Sequence, residues 1–257
     1  MKVVLFCGGL GTRLREHSET IPKPLVNIGA RPIIWHLMKY YAYYGHTEFV
    51  LCLGYRGNLL REFFLNYDPR EAEDFLLDNG VAEVPNTGSD VPDWRIRFVD
   101  TGLNSNIGER LSAVKDYVKD DEIFLANYSD QLSNLDLDAY YGWFLQSNAR
   151  ASFVAVKPSQ SFHVVDMDAS GRVRKLNAVA DTETWINGGF MILRREIFDV
   201  MQRGEELVEK PFARLVESGS LAAYRYTGFW KAMDTLKDKL HFDQLDAQGS
   251  RPWVVWK

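Results

Sequence analysis

Cysteine and histidine are scarce in this sequence, and long apolar runs are missing. The two cysteines, Cys7 and Cys52, lie in apolar, strand-like runs, so we expect buried free thiols in a reducing compartment. The five histidines show no spacing that a zinc site would need. No apolar run approaches the roughly 20 residues that span a bilayer, and the N-terminus lacks the apolar core of a signal peptide. We therefore expect a cytoplasmic protein with no membrane partner.

An excess of positive charge is also missing. The chain has 30 Lys and Arg against 35 Asp and Glu, which gives a net charge of −5 and argues against a nucleic-acid groove. A site for small phosphorylated ligands remains possible, because a few cations concentrated in one cleft can bind an anion on an acidic protein. With 257 residues and 46% apolar content, the chain is long enough to bury a full core.

Short apolar runs alternate with helix-period segments in the first half. The pattern predicts strands at residues 2–6, 48–53, 95–99 and 122–126, and helices at 33–44, 58–67, 107–118 and 137–147. Strands that alternate with helices of this length favour an α/β fold with a doubly wound, mostly parallel, Rossmann-like sheet.

The second half has shorter and more numerous strand signals. Strands are predicted at residues 152–156, 162–168, 172–176, 186–193 and 221–227, and helices at 195–202, 212–218 and 235–247. Residues 68–94 show little periodicity and are interpreted as an excursion over the sheet. The whole pattern predicts one domain over residues 1–257, with a small mixed β region in its second half.

A glycine-rich segment follows the first predicted strand directly. Residues 8–13 read Gly-Gly-Leu-Gly-Thr-Arg, in which glycines let backbone N–H groups approach an anion closely. Thr12 adds a hydroxyl donor and Arg13 a permanent planar cation. Ten residues later, Lys23 lies between two prolines that stiffen its segment. A tight turn with surface cations is the alternative, but the combination favours a phosphate site.

Two common phosphate-binding motifs do not fit the same segment. A dinucleotide fingerprint would need glycine three residues after Gly11, where the chain has Leu14. A Walker-type loop would need Gly-Lys-Ser or Gly-Lys-Thr, and neither triplet occurs. The sequence thus argues against a dehydrogenase and a P-loop ATPase.

The opening segment, together with Pro-Lys-Pro at 22–24, resembles the signature of sugar-1-phosphate nucleotidyltransferases. Several further segments are similar to the glucose-1-phosphate cytidylyltransferase branch: residues 32–39 (PIIWHLMK), 99–102 (VDTG), 117–122 (YVKDDE), 186–190 (INGGF), 228–230 (GFW), 233–236 (MDTL) and 252–253 (PW). The resemblance runs along the whole chain, and many weak motifs in order make it specific.

The resemblance implies a role for each matched position. The nucleotide-binding half would be 1–150 and the acceptor-binding half 151–257, with Mg²⁺ as cofactor. The partners would be CTP and a phosphorylated acceptor, giving a CDP-linked product and pyrophosphate, and we expect a homo-oligomer. The triphosphate would be held by Gly8, Gly9, Gly11, Thr12, Arg13 and Lys23, of which Arg13 and Lys23 are catalytic. Ser105 and Arg110 would bind the base and ribose of the nucleotide. Asp130 and Asp234 would bind Mg²⁺, and Asn187 would bind the acceptor.

The chemistry of such a transfer calls for these residue types. The acceptor phosphate is already an anionic nucleophile, so no Ser-His-Asp relay is needed. The difficulty lies in bringing it against a triphosphate, and cations must offset that repulsion. Asp130 follows the strand predicted at 122–126, at the carboxyl end where α/β proteins bind ligands. Without the resemblance, a turn or helix cap would be the simpler interpretation of such an aspartate.

On the acceptor side the chain departs from the family pattern. The usual Glu-Lys-Pro triplet is replaced by residues 177–180 (NAVA), which hold no lysine, and the usual Tyr-Gly-Asp-Gly reads Tyr-Ser-Asp-Gln at 128–131. His163 replaces an expected glycine, and Lys210 replaces an expected glutamate. Both residues are predicted to reshape the acceptor pocket. The alternative is that His163 only occupies a strand position and that Lys210 is a solvent-exposed residue at the start of a helix. Glucose 1-phosphate is then not the expected acceptor. The alternatives are the same transfer with dTTP, UTP or GTP, and a non-catalytic nucleotide-binding regulatory subunit.

Overall fold

A computed structural model describes residues 1–9, 21–71, 76–78, 81–83, 93–158 and 162–256. Three predicted ligands of the triphosphate, Gly11, Thr12 and Arg13, lie outside these described residues. The strands are β1 Val3–Phe6, β2 Asn27–Ile28, β3 Arg31–Pro32, β4 Glu48–Leu53, β5 Leu76–Asp78, β6 Val81–Glu83, β7 Arg95–Asp100, β8 Ile123–Tyr128, β9 Gln131–Ser133, β10 Ala151–Val156, β11 His163–Met167, β12 Val173–Ala178, β13 Ile186–Asn187, β14 Met191–Arg194, β15 Leu221–Tyr226 and β16 Trp230–Ala232.

Seven α-helices connect these strands within the described part of the chain. They are α1 Ile33–Tyr43, α2 Gly57–Leu65, α3 Ile107–Ala113, α4 Lys115–Val118, α5 Leu137–Gln146, α6 Lys210–Glu217 and α7 Leu236–Ala247. Short 3₁₀ segments occur at Lys23–Leu25, Pro69–Glu71, Val179–Asp181 and Arg195–Asp199. None of the helices in the described ranges has the length and apolar character needed to cross a membrane.

The main sheet is mixed, and its central strands are parallel. Its order is β13-β10-β14-β8-β1-β4-β7, and β15 also pairs with β10. Strand β1 runs parallel to β8 on one side and to β4 on the other, and β4 runs parallel to β7. Strand β14 joins antiparallel to β8, so strands from both halves of the chain form one sheet. The α/β fold with a mostly parallel core is thereby confirmed.

The central strands are buried on both faces, which explains their continuous apolar sequences. All four residues of β1 are buried, and alternate residues belong to two different apolar clusters. One cluster lies under α1 and α5 and includes Leu5, Leu37 and Phe144. The other lies under α3 and α6 and includes Phe6, Leu111 and Phe212. Helices thus cover both faces of the sheet, as a doubly wound fold requires.

The predicted strand 186–193 is wrong in one respect, because it is two strands. Gly189 and Phe190 have φ angles of +69° and +48°, and this left-handed backbone interrupts the ladder between β13 and β14. The N–H of Gly189 donates to the Asn187 side chain at 2.9 Å, which stabilises the turn. The break keeps Asn187 near the end of β10, opposite Ala155.

Two predicted helices also differ from the structure. The helix predicted at 107–118 divides at Val114 into α3 and α4, and the helix predicted at 195–202 is a 3₁₀ segment, Arg195–Asp199. A capping box between Asn106 and Glu109 fixes the start of α3, since each side chain receives the other's backbone N–H. Ile107 is thereby held at the carboxyl-end edge of the sheet.

The C-terminal segment is anchored by aromatic contacts. Trp253 is buried, and its indole N–H donates to His36 Nδ1 at 3.3 Å. The other ring nitrogen of His36 lies 3.2 Å from the Ile28 carbonyl, so Nε2 carries the proton of a neutral ring. Burial lowers the pKa of His36 to about 4.

Candidate active site

One lysine and two aspartates from distant parts of the sequence meet at the carboxyl ends of the central strands. The Lys23 ammonium donates to Asp130 Oδ2 at 2.5 Å and to Asp234 Oδ1 at 2.7 Å. Burial would lower the pKa of Lys23, but the two carboxylates outweigh it and raise that pKa above its ordinary value. Lys23 therefore remains an ammonium ion at neutral pH.

Chain topology explains why these three residues are neighbours. Asp130 follows β8, which lies beside β1 in the sheet. Asp234 follows β16, which pairs antiparallel with β9, and the Met233 N–H donates to the Asp130 carbonyl at 2.8 Å. Lys23 begins a 3₁₀ segment directly after Pro22, which has an extended backbone. Three short elements thus converge at the edge where α/β sheets bind ligands.

A first cavity, of about 240 Å³, opens beside Lys23. Backbone and small residues after β1 form one wall, where Cys7, Gly8 and Gly9 lie, and Ile107 from the start of α3 lies opposite. Lys23, Asp130 and Asp234 supply its charged side chains. Burial raises the pKa of Cys7 to about 12, so its thiol stays neutral. This cavity brings together the predicted residues Gly8, Gly9, Lys23, Asp130 and Asp234.

Arg110 lies directly behind Gly8 and is only 1% exposed. A Cβ at Gly8 would overlap the Arg110 guanidinium, so only glycine fits there. The guanidinium donates to Thr101 Oγ1 at 2.7 Å and to the carbonyls of Gly102 at 2.9 Å, Leu53 at 3.2 Å and Leu103 at 3.3 Å. Ser105 Oγ donates to the Thr101 carbonyl at 2.5 Å. Both residues hold the loop after β7, and their contact with base or ribose stays a prediction.

A second cavity, of about 770 Å³, shares the walls Tyr128, Asp130 and Asp234 with the first. Asn187 lines it together with Tyr128, as the sequence predicts for an acceptor residue. Burial raises the pKa of Tyr128 to about 12, so the hydroxyl keeps its proton. Two cavities that share one pair of aspartates could hold two reactants on either side of the reacting atoms.

Lys210 and His163 do not line this second cavity, so a role for either at the acceptor stays a prediction. Lys210 begins α6, whose Phe212 and Leu215 pack into the apolar cluster under α3 and α6. His163 is exposed at the start of β11, in a two-stranded ribbon with β12.

Other side chains that the sequence did not single out line the second cavity instead. Lys231 and Lys237 supply cations, and Gln131 and Trp230 form further parts of the wall. The Lys231 ammonium donates to Asp238 Oδ1 at 2.9 Å. Burial would raise the pKa of Asp238, but hydrogen bonds from Lys231 and Thr235 outweigh it and lower that pKa. The signal was available, because Lys231 and Lys237 flank Asp234 by three residues on either side.

The two carboxylates suit a hard cation that takes its remaining coordination ligands from water and substrate. Within the described ranges, no group of three or more His, Cys, Asp or Glu side chains is arranged to hold a metal ion. Asp130 and Asp234 do converge on a single positive charge, the Lys23 ammonium. Mg²⁺ is commonly bound through one or two carboxylates together with water and substrate phosphates, which fits this pair.

Comparison with known proteins gives consistent similarities along the chain. Residues 2–244 match the sequence profile of the family described as nucleotidyl transferase. The chain is 37% identical over 260 residues to the glucose-1-phosphate cytidylyltransferase of Salmonella typhi, with 100% of both chains covered. It is 29% identical over 248 residues to the mannose-1-phosphate guanyltransferase of Debaryomyces hansenii, covering 93% of this chain and 63% of that protein. A UDP-glucose pyrophosphorylase complexed with UDP-glucose superposes with a TM-score of 0.70 at 12% identity, covering 96% and 98% of the two chains, and this likeness shows the fold alone.

Proposed function

Because the chain belongs to the nucleotidyl transferase family, we propose that it transfers the cytidylyl group of CTP to a small phosphorylated acceptor and releases pyrophosphate. The observation that carries the proposal is the Lys23 ammonium of the first cavity, which lies between Asp130 and Asp234, the two aspartates that both cavities share. The identity to a cytidylyltransferase over the full length supports CTP as the donor.

In the proposed reaction, an acceptor phosphate oxygen attacks the α-phosphorus of CTP. The bond from the α-phosphorus to the oxygen that bridges it to the β-phosphorus breaks, and pyrophosphate leaves with the electron pair. No proton has to move, since the nucleophile is already an anion. The ammonium of Lys23 would offset the negative charge that accumulates on the phosphoryl oxygens. The two cavities would align the reactants, and alignment lowers the entropic part of the barrier.

Asp130 and Asp234 would hold Mg²⁺ together with phosphate oxygens of the nucleotide. When bound, the ion neutralises phosphate charge at the reacting centre. The chain's own contribution is to place two carboxylates on either side of Lys23, at 2.5 and 2.7 Å from its ammonium. In the free protein, the Lys23 ammonium offsets one of the two negative charges and so reduces the repulsion between the carboxylates.

On the acceptor side, we propose that Lys231 and Lys237 take the part of the lysine missing from residues 177–180. Both line the second cavity, and Lys231 is half-buried beside Asp238. Asn187 and the Tyr128 hydroxyl, which both line this cavity, would bind polar groups of the acceptor near the reacting phosphate. The acceptor is then an anion with polar substituents, bound by side chains that differ from the usual family set.

The first experiment measures pyrophosphate release over a grid of CTP, dTTP, UTP and GTP against phosphorylated sugars, polyols and phosphonates. We expect CTP to give the highest kcat/KM with at least one acceptor, and activity to depend on added Mg²⁺. A higher kcat/KM with another nucleotide would show that this nucleotide, and not CTP, is the donor. No pyrophosphate from any pair, with a cooperatively folded protein that still binds nucleotide, would favour the regulatory subunit instead.

We also propose a homo-oligomer that works in the cytoplasm. The ribbon of β11 and β12 exposes apolar side chains that a monomer would leave in water: Val164, Val165, Met167, Val173 and Leu176. Both cysteines are buried and free, which is typical of a reducing compartment. Light scattering of the purified protein measures the oligomeric state. A molar mass of 29.5 kDa at all concentrations would contradict the proposed homo-oligomer.

A further inference from the structure

A buried glutamine lies in the wall of the second cavity, one residue after Asp130. Gln131 begins β9 and is 3% exposed, and its strand pairs with β16 opposite Ala232. Long polar side chains are seldom buried unless their polar atoms have partners. The partners of this amide therefore indicate what the residue does.

The orientation of the Gln131 amide follows from its neighbours. The backbone N–H of Phe190 donates to Asn127 Oδ1 at 2.9 Å, and a backbone N–H can only donate. That bond identifies the Asn127 oxygen, and Asn127 Nδ2 then donates to the Tyr41 hydroxyl at 3.0 Å. Gln131 approaches the same Asn127 oxygen at 2.5 Å, so it must do so with its Nε2.

The carbonyl end of the Gln131 amide has no such partner. Among the described residues, none makes a hydrogen bond to Oε1, and this atom is not one of the fully enclosed side-chain atoms that lack a partner. The cavity that Gln131 lines is the space open to it. A fixed carbonyl oxygen thus faces the second cavity from its wall, beside the metal-binding aspartate that we propose.

We infer that Gln131 is a specificity-determining residue that accepts a hydrogen bond from a hydroxyl or N–H group of the acceptor. The inference rests on the proposed function, because it assigns the second cavity to the acceptor. It also names the acceptor's chemistry: besides its phosphate, the acceptor carries a hydrogen-bond donor close enough to that phosphate to reach Gln131 while the phosphate lies near Asp130.

The surrounding backbone supports a fixed role for this side chain. A Cβ at Gly189 would overlap the Gln131 amide and crowd Asn127, so the turn between β13 and β14 has room for the amide only because residue 189 is glycine. Tyr41 from α1, Asn127 from β8 and Phe190 from that turn together hold the amide in one orientation. A polar group that is held this way can discriminate between ligands, since its position costs little further ordering when a ligand binds.

The test pairs each active acceptor with analogues that lack one hydroxyl or amino group. With the wild-type enzyme, removal of the group that Gln131 binds should lower kcat/KM by about tenfold or more, because the carbonyl then loses its donor. The variant Gln131→Met keeps the volume of the side chain and removes the carbonyl. This variant should have nearly the same kcat/KM for the parent acceptor and for that analogue, and its KM for CTP should be unchanged.

Ser133→Ala is the matched control. It removes a buried hydrogen bond of 2.8 Å to the Phe229 carbonyl from the same strand, but Ser133 lines neither cavity. It should retain the wild-type discrimination even if its melting temperature falls. Equal discrimination by the wild type and Gln131→Met would overturn the role of Gln131 and leave the proposed function standing. If no analogue loses activity with the wild type, the inference is also wrong, whether or not Gln131→Met folds. Absence of any turnover by the wild type would overturn the proposed function itself.

Discussion

The two cavities that meet at Asp130 and Asp234 are built from different kinds of groups. The first is small, and its lining includes Cys7, Gly8 and Gly9 directly after β1, with Gly8 pressed against a buried arginine. The second has about three times the volume, and long side chains such as Lys231, Lys237 and Trp230 form its walls. Backbone is suited to a ligand part that never varies, such as a triphosphate. Side chains can change by single substitutions, so under the proposed function acceptor choice would evolve in the second cavity.

The largest effect is expected where the two cavities meet. Lys23→Ala should reduce kcat by about 10²-fold or more with every acceptor, because one preorganised cation is lost from the reacting centre. The chain should still fold cooperatively, although Asp130 and Asp234 then face each other without a counter-ion. Lys119→Ala, which changes an exposed lysine in a turn, is the control. Turnover like that of the wild type in Lys23→Ala would remove Lys23 from catalysis.

The two aspartates should behave as a unit. Asp130→Asn and Asp234→Asn should each raise the Mg²⁺ concentration needed for half-maximal rate, and the double variant should be little worse than the poorer single one. Residues that act on one ion have effects that do not add. Titration of the rate with Mg²⁺ measures this. Strictly additive losses would mean that the shared wall contains two separate structural groups.

A smaller effect, on the KM of the acceptor but not of CTP, is expected from a substitution in the second cavity. Lys231→Ala should raise the KM for the acceptor by about tenfold, since a charge-assisted contact is lost, and leave the KM for CTP within about twofold. Steady-state kinetics with each substrate varied in turn measures the difference. An equal rise in both KM values would contradict the division of the two cavities between the two substrates.

The smallest effect on turnover is expected away from both cavities, at His36, where the change concerns the stability of the fold. Its pKa is about 4 in the folded chain and about 6.5 when unfolded, so folding favours the neutral ring. The contribution of His36 to stability is complete above pH 6.5 and is lost as the pH falls toward 4, by up to about 3 kcal/mol. His36→Gln should flatten the dependence of unfolding free energy on pH in this window. A slope equal to that of the wild type would show that other groups cause acid unfolding.

Much of the fold was predictable because buried strands have apolar sequences that can be recognised directly. The strands beside β1 are buried on both faces, and their unbroken apolar runs predict both the strands and the parallel sheet. The division of residues 186–193 was not predictable in the same way. Met191 to Arg194 and Ile186 to Asn187 both have strand-like sequences, and nothing local indicates the positive φ of Phe190.

The candidate site was predictable in part only through the family resemblance. Lys23 and Asp234 are 211 residues apart, and no local pattern relates them. Lys210 and His163 line neither cavity, and the face of the sheet on which α6 packs depends on distant partners of Phe212 and Leu215. Lys231 was missed because its strand is only three residues long, and it acquires its position from β9.

The close approach of Gly8 to Arg110 has a consequence for how such chains diverge. Since a Cβ at position 8 would occupy the space of the guanidinium, residue 8 cannot gain a side chain while Arg110 keeps its present position. A side chain at position 8 should appear among relatives only together with a smaller residue at position 110. The two positions, 102 residues apart in sequence, should therefore vary as a correlated pair across an alignment of relatives.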